Sequence, residues 1–399
     1  MKIVNLSEVA KIYNGNSINE RFKAQHFSDV IGGTPYVATK DISYTFEVNY
    51  ENGISIPKEN SKDFKIARKG SVLLCAEGGS AGRKLALLDR DVFFVNKLFC
   101  FEAFEELNSK YLFYYLQAPR FQSLFKESIT GLIGGVSLEK VRNLPIGIPS
   151  LEKQNIVVEK LDRCFAEIEL LEANLAVIEN YCEELMYSVQ QDLFVSNFKQ
   201  VRIGDICNLM TGGTPSRTRP EYFVDGTIKW LVSGDIHKRE IYDCEGRITL
   251  EAMKSSNTKI LPLNSVMIAL NGQGKTRGTV ALLKTEATCN QSLVSISPID
   301  ESELLSEFLF YNLKMRYQEI RRMTGDDGNE RRGLNMILIR NIQIPLPFLE
   351  KQREIVEKLD SAFAEIESLK ERIKTEMDFS SSLRKSLLSS AFIQENEVA

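Results

Sequence analysis

A stretch of twenty-one residues occurs twice in this chain, 198 positions apart, and that duplication constrains any fold proposed for it. Leu151-Glu152-Lys153-Gln154 returns as Leu349-Glu350-Lys351-Gln352, and Val158-Glu159-Lys160-Leu161-Asp162 as Val356-Glu357-Lys358-Leu359-Asp360. Phe165-Ala166-Glu167-Ile168-Glu169 returns as Phe363-Ala364-Glu365-Ile366-Glu367, so that 15 of the 21 positions from 151 to 171 are identical. Both copies follow an apolar stretch broken by prolines, Asn143 to Pro149 and Asn341 to Pro347. The prolines block early helix formation, so each lead-in reads as a short extended segment and each copy as the helix after it.

The helices have their own periodicity. Leu161, Cys164, Ile168, Leu171, Leu175, Ile178, Cys182, Leu185 and Val189 fall on successive a and d positions. In the second copy Leu359, Ala362, Ile366, Leu369 and Ile373 do the same, Glu376 and Ser380 interrupt, and Leu383 and Leu387 resume the phase. A sustained 3.5-residue period is the coiled-coil pattern, and two homologous seams favour pairing with each other. An amphipathic helix packed on its own globular domain is the alternative. At 1.5 Å per residue, roughly 40 helical residues span about 60 Å.

The blocks before each helix are related more faintly. Tyr36 to Ile42 parallels Trp230 to Ile236, Gly70-Ser71-Val72-Leu73 parallels Asn264-Ser265-Val266-Met267, and Asn96 meets Asn290 at the same offset of 194. Short β-rich runs separated by glycine and polar turns dominate both blocks, with a helix near 107 to 128 and another near 303 to 323. The fold class expected is α+β: two mostly-β domains in tandem, each followed by a long helix.

Composition removes several functions. No apolar run approaches the roughly 20 residues that cross a bilayer, and the N-terminus lacks a secretory pattern, so a cytoplasmic chain is the simplest reading. Seven scattered cysteines never form a C-x-x-C pair, and there are two histidines, which argues against disulfide frameworks and metal sites. Net charge is −4, yet residues 151 to 194 carry −7 and residues 349 to 399 carry −3, leaving +6 on the two heads. The heads are where a polyanion is tolerated.

Gly274-Lys275-Thr276 imitates the end of a phosphate-binding loop, but Ala269 stands where that motif needs its first glycine. A hairpin turn with basic residues at its tip fits better. No dinucleotide fingerprint, amino-methyltransferase motif, H-E-x-x-H or G-x-S-x-G occurs, so no catalysis is expected.

The lead-ins Pro149 to Gln154 and Pro347 to Gln352, with their Val-Glu-Lys-Leu-Asp helices, resemble the specificity subunits of type I restriction-modification enzymes. Thr211-Gly212-Gly213-Thr214-Pro215-Ser216, leading through Tyr222 to Trp230 and Gly234-Asp235-Ile236, is similar to that family's second recognition domain. The first block departs, with Asn14-Gly15-Asn16 in the equivalent place. The resemblance implies target-recognition domains at 1–149 and 195–347, a central helix at 150–194 and a C-terminal helix at 348–399. It implies an antiparallel coiled coil with pseudo-two-fold symmetry, seamed by Leu161, Ile168, Leu175, Ile178, Leu185, Leu359, Ile366, Leu369 and Ile373.

It further implies double-stranded DNA as ligand, each head reading half of a split site, with two methylase subunits and a restriction subunit as partners. S-adenosylmethionine, and ATP with Mg, would sit on those partners and no cofactor on this chain. Base-edge and phosphate contacts call for Arg, Lys, Asn, Gln and Ser on polar loop tips. The first head offers Lys40, Arg83, Lys84, Asn96 and Lys97. The second offers Ser216, Arg217, Lys238, Arg239, Lys275, Arg277, Asn290 and Gln291, with Arg331 and Arg332 in the loop from 325 to 333. Asn96 and Asn290 read equally well as buried turn residues, and Gly78-Gly79 and Gly212-Gly213 as simple tight turns. A coiled-coil adaptor whose heads bind proteins, or a subunit of a related defence system, is the alternative function.

Overall fold

The computed structural model describes residues 2–28, 30–130, 134–194, 198–272, 274–324 and 333–393, the side chains of 186, 187 and 189–194 excepted. The chain forms two compact units, residues 1–176 with 373–399, and residues 177–372. Each unit holds one head and parts of both long helices, Leu151–Phe194 and Leu349–Ala391.

In the first head an antiparallel sheet runs Ala10–Asn14, Leu98–Ala103, Val72–Cys75, Leu85–Leu87. A second sheet runs Ser55–Ile56, Thr34–Val37, Val92–Phe94, Ile66–Ala67. The second head repeats the plan: Cys207–Thr211, Leu293–Pro298, Val266–Ala269, Val280–Leu283 and Glu240–Ile241 in one sheet, Arg247–Ile248, Ile228–Leu231 and Thr288–Cys289 in the other. The proline lead-ins are strands, Pro145–Ile148 pairing with Lys2–Asn5 and Gln343–Pro345 with Gln200–Arg202. Each expected head helix is two short ones, Ser109–Gln117 with Pro119–Glu127, and Ser306–Met315 with Tyr317–Arg322. Proline at the start of the second helix of the first pair explains that break. Six of the seven cysteines are buried and none is in a disulfide. No helix among the described residues is long and apolar enough to cross a membrane.

The repeated glutamine bolts each head to its helix. Gln154 Oε1 accepts from the Asn108 amide at 2.8 Å, and its Nε2 donates to the Glu106 and Pro149 carbonyls at 2.9 and 3.0 Å. Gln352 repeats this with the Leu305 amide at 2.9 Å and the Glu303 and Pro347 carbonyls at 2.7 and 2.9 Å. Both glutamines are fully buried. The repeated aspartate adds a second tie, Tyr114 donating to Asp162 and Tyr311 to Asp360. Identity between the two copies is thus concentrated where helix meets head.

One of the two rows of the seam differs by one residue from the expected a/d reading. Leu161, Ile168 and Leu175 are buried, as are Leu359, Ile366 and Ile373, but Leu369 is half-buried and Ile178 and Leu185 are 39 and 54% exposed. Val189 lies outside the described side chains. The second buried row runs through Val158 and Phe165 in one helix and Phe363 in the other, not through Cys164, Leu171 and Ala362. The heads cause the rotation: Phe165 packs on Tyr114 and Phe363 on Tyr311, with ring centroids 5.4 and 5.3 Å apart. Each helix therefore packs on its own head as well as on the other helix.

Within the first unit the pairing is antiparallel, since Glu169 meets Arg384 at 3.7 Å while Glu172 meets Ser380 at 2.5 Å. Within the second, Lys370 meets Glu183 at 3.6 Å. At Ser380 the polar interruption in the second stripe forms a hydrogen-bonded layer: Ser380, 1% exposed, and Arg384 at 3.0 Å both donate to Glu172. Burial alone would raise the Glu172 carboxyl, but those two donors outweigh it and hold it below the usual range. Because its folded pKa is depressed, this contact stabilises above the ordinary carboxylate pKa and is lost as pH falls through the lowered value. Glu172→Gln is therefore expected to flatten the acid limb of a stability–pH profile, and an unchanged limb would contradict that role.

Candidate nucleic-acid interface

Strand register collects most of the predicted cations at one end of each head. In the first, Cys75 pairs with Leu98 and Leu74 with Leu85, so the 76–84 turn and the 95–97 turn leave the sheet together. The Val95 amide bonds the Val37 carbonyl and brings the Thr39–Asp41 turn alongside. Lys40, Arg83, Lys84, Asn96 and Lys97 thus share one loop cluster. Lys40, Arg83, Asn96 and Lys97 are exposed, so Asn96 is not a buried turn residue. Tyr44 organises the cluster: Arg83 donates to its hydroxyl at 3.0 Å, Ser80 lies 3.1 Å from it, and Arg83 and Lys84 each sit 5.0 Å from its ring centroid. The Ser80 contact and then the Arg83 guanidinium lower the pKa of the Tyr44 phenol. Lys97 is paired with Glu77 at 3.0 Å.

In the second head Ile268 pairs with Val280 and both Ala269 with Leu293 and Thr211 with Val294, so three loops leave one sheet end. They are the 212–218 loop, the hairpin turn from 271 to 279 and the 290–292 turn. His237 reaches Thr276 at 3.1 Å and places Lys238 beside Lys275 and Arg277. Ser216, Arg217, Lys238, Lys275 and Gln291 are exposed. Arg277 is half-buried, and Asn290 serves its own turn, accepting from the Ser292 amide at 2.9 Å. The hairpin tip is held from behind by Arg321, which donates to the Gly274 carbonyl at 2.7 Å, and by Tyr317, which donates to the Lys275 carbonyl at 2.7 Å.

Arg239 does not belong with this group. It donates to Tyr311 at 2.6 Å, pairs with Asp360 and stacks 5.8 Å from the Phe363 ring centroid, beside the second long helix. Its carbonyl accepts from the Leu282 amide, at the far end of the strand from the hairpin tip. Basic character alone did not distinguish a structural arginine from a loop-tip one. Arg331 and Arg332 lie outside the described residues.

The apparent divergence between Asn14-Gly15-Asn16 and Thr211-Gly212-Gly213 conceals one conformation. The Asn16 amide bonds the Phe94 carbonyl at 3.0 Å and the Gly213 amide bonds the Cys289 carbonyl at 3.0 Å. A Cβ on Gly15 or Gly212 would come within 1.9 or 1.7 Å of those carbonyl oxygens, so only glycine fits. Tyr36 then donates to the Asn16 carbonyl at 2.7 Å, and Trp230 to the Gly213 carbonyl at 3.0 Å. The alignment of Tyr36 with Trp230 was legible in the sequence; their shared task was not.

Two β-rich heads that each gather basic loops at one sheet end, each bolted to a long helix, define a double-headed nucleic-acid reader. The chain belongs to the family described as the type I restriction modification DNA specificity domain, whose profile matches residues 1–180 and 195–377. It is 25% identical to the EcoR124I/EcoR124II specificity subunit of Escherichia coli over 276 residues, 67% of each chain. It is 20% identical to the EcoBI specificity subunit of the same organism over 427 aligned positions, covering 98% of this chain and 85% of the other. In fold it is similar to a chain of a solved type I restriction-modification system (TM-score 0.79, 18% identity, 98 and 97% coverage). It is also similar to the HsdS subunit from Thermoanaerobacter tengcongensis (TM-score 0.62, 20% identity, 98 and 96% coverage). Its function is DNA sequence specificity in a type I restriction-modification system.

Proposed function

We propose that each head reads one half of a split DNA site with the loop cluster at its sheet end, and that the two long helices set the number of unread base pairs between the halves. The observation that carries this reading is the shared glutamine clamp, which makes each cationic loop cluster a rigid extension of a helix. A ruler needs that rigidity.

The chain itself is a non-catalytic subunit. Two modification subunits dock on it, bring S-adenosylmethionine and methylate adenine N6. Restriction subunits carrying ATP and Mg join the same complex, in the cytoplasm. Exposed apolar side chains on the first long helix, Leu170, Val177 and Tyr181 among them, support helix-side docking of a protein partner.

Adding one heptad after Ile178, with a matching heptad in the second helix, tests the ruler. Seven helical residues add about 10 Å, which corresponds to about three base pairs of B-form DNA. The methylated motif is expected to keep both half-sites and widen its gap. An unchanged gap would show that the helices do not set it.

A further inference from the structure

We propose that the cleft between Gly213–Ser216 and Lys254–Asn257 in the second head is a seat for one backbone phosphodiester of bound DNA. The inference rests on the DNA-reading function of that head and assigns a role to a motif which tight turning alone would otherwise account for.

The cleft measures about 460 Å³ and is lined by Gly213, Thr214, Ser216, Lys254, Ser255, Ser256 and Asn257. Among the described residues no aromatic or aliphatic side chain lines it, so it offers no stacking surface to a flipped base or another flat apolar ligand. No carboxylate among the described residues lines it either. Lys254 supplies one positive charge, is exposed, and has no ion-pair partner among the described residues. The Ser255 and Ser256 hydroxyls are turned into the Ala252 carbonyl, at 3.3 and 2.8 Å. The donors left for a ligand are the Lys254 ammonium, the Asn257 amide and the Ser216 hydroxyl, the last shared with Thr218 at 2.8 Å. One cation with two neutral donors suits the single charge of a phosphodiester.

The walls are fixed before any ligand arrives. The Gly213 carbonyl takes hydrogen bonds from Trp230 at 3.0 Å and from buried Thr258 at 3.2 Å, and Thr258 meets Ser256 at 2.7 Å. A Cβ on Gly213 would lie 3.1 Å from the Asn257 backbone, so the two walls are in close contact at their base. Thr214 donates to Gln291 at 2.5 Å, which couples the cleft to the 290–292 turn of the reading cluster. A phosphate held here fixes the strand against Gln291 and Arg217 without reading its sequence. That is the division of labour between positioning and specifying contacts.

The test is anisotropy titration of the full-length chain, wild type and Lys254→Ala, with labelled duplexes carrying the methylated motif or a scrambled one, across a salt series. The seat predicts about a fivefold loss of affinity on both duplexes, a salt-dependence slope smaller by about one, and an unchanged ratio between them. Wild-type affinity and slope in the variant would overturn the seat, as would a change confined to the specific duplex, which marks a base contact. Weaker binding of inorganic phosphate with no change on the duplexes would make the cleft a free-anion site and overturn it equally. Absence of salt-dependent duplex binding by the wild type would instead contradict the DNA reading of the head, so the two failures are distinguishable.

Discussion

Gln352→Leu is expected to destabilise the second unit by about 3 to 5 kcal/mol. The glutamine is fully buried and satisfies the Leu305 amide and the Glu303 and Pro347 carbonyls. Leucine fills most of the volume but orphans all three groups, and each buried unsatisfied backbone group costs roughly 1 to 3 kcal/mol. Partial hydration of the Glu303 carbonyl keeps the sum below the upper limit. Glu350→Ala, two residues away in the same repeated motif and exposed, is the control and should change stability by less than about 0.5 kcal/mol. Urea unfolding, with amide exchange at Leu305 as the local probe, reads both. A loss below 1 kcal/mol for Gln352→Leu, with Leu305 still protected, would show that the clamp is not what secures head to helix.

Phe392→Ala is expected to cost the first unit about 3 kcal/mol, although Phe392 is nearly 280 positions from the residues it stabilises. Its ring packs edge-on against Tyr111 and Tyr115, with centroids 5.1 and 5.6 Å away, and with Leu388 it belongs to the hydrophobic core of the first head. Truncating a buried aromatic removes its transfer energy and leaves a cavity, a combined effect of about 3 to 5 kcal/mol. The lower figure applies because Phe392 is not completely enclosed. The same measurement on the first unit checks it. Unchanged stability would mean that the end of the second long helix rests on the first head without sealing its core.

The parts of this fold that could be read from the sequence were those that repeat or are periodic. The duplicated motif marked both helices and both strand lead-ins, because identical residues at a fixed offset need no knowledge of their partners. What Gln154 and Gln352 do could not be read, because their partners Glu106, Asn108, Glu303 and Leu305 lie almost fifty residues earlier and contribute only backbone atoms. One of the seam's two rows was misplaced by one residue, Phe165 and Phe363 being buried in place of Cys164 and Ala362, for a related reason. An apolar count passes over Glu172 and Arg384, yet the polar layer they form with Ser380 lies in the helix pairing. At the interface, loop-tip position was legible for Lys40, Lys238 and Lys275. The commitment of Arg239 to Asp360 was not, since it joins residues 121 apart.

The most direct test of the two-headed specificity function is methylome sequencing of cells expressing an active partner methylase with and without this chain. The account predicts N6-methyladenine at a single split, asymmetric motif, present only when the chain is present. An active methylase that acquires no new motif with this chain would contradict it.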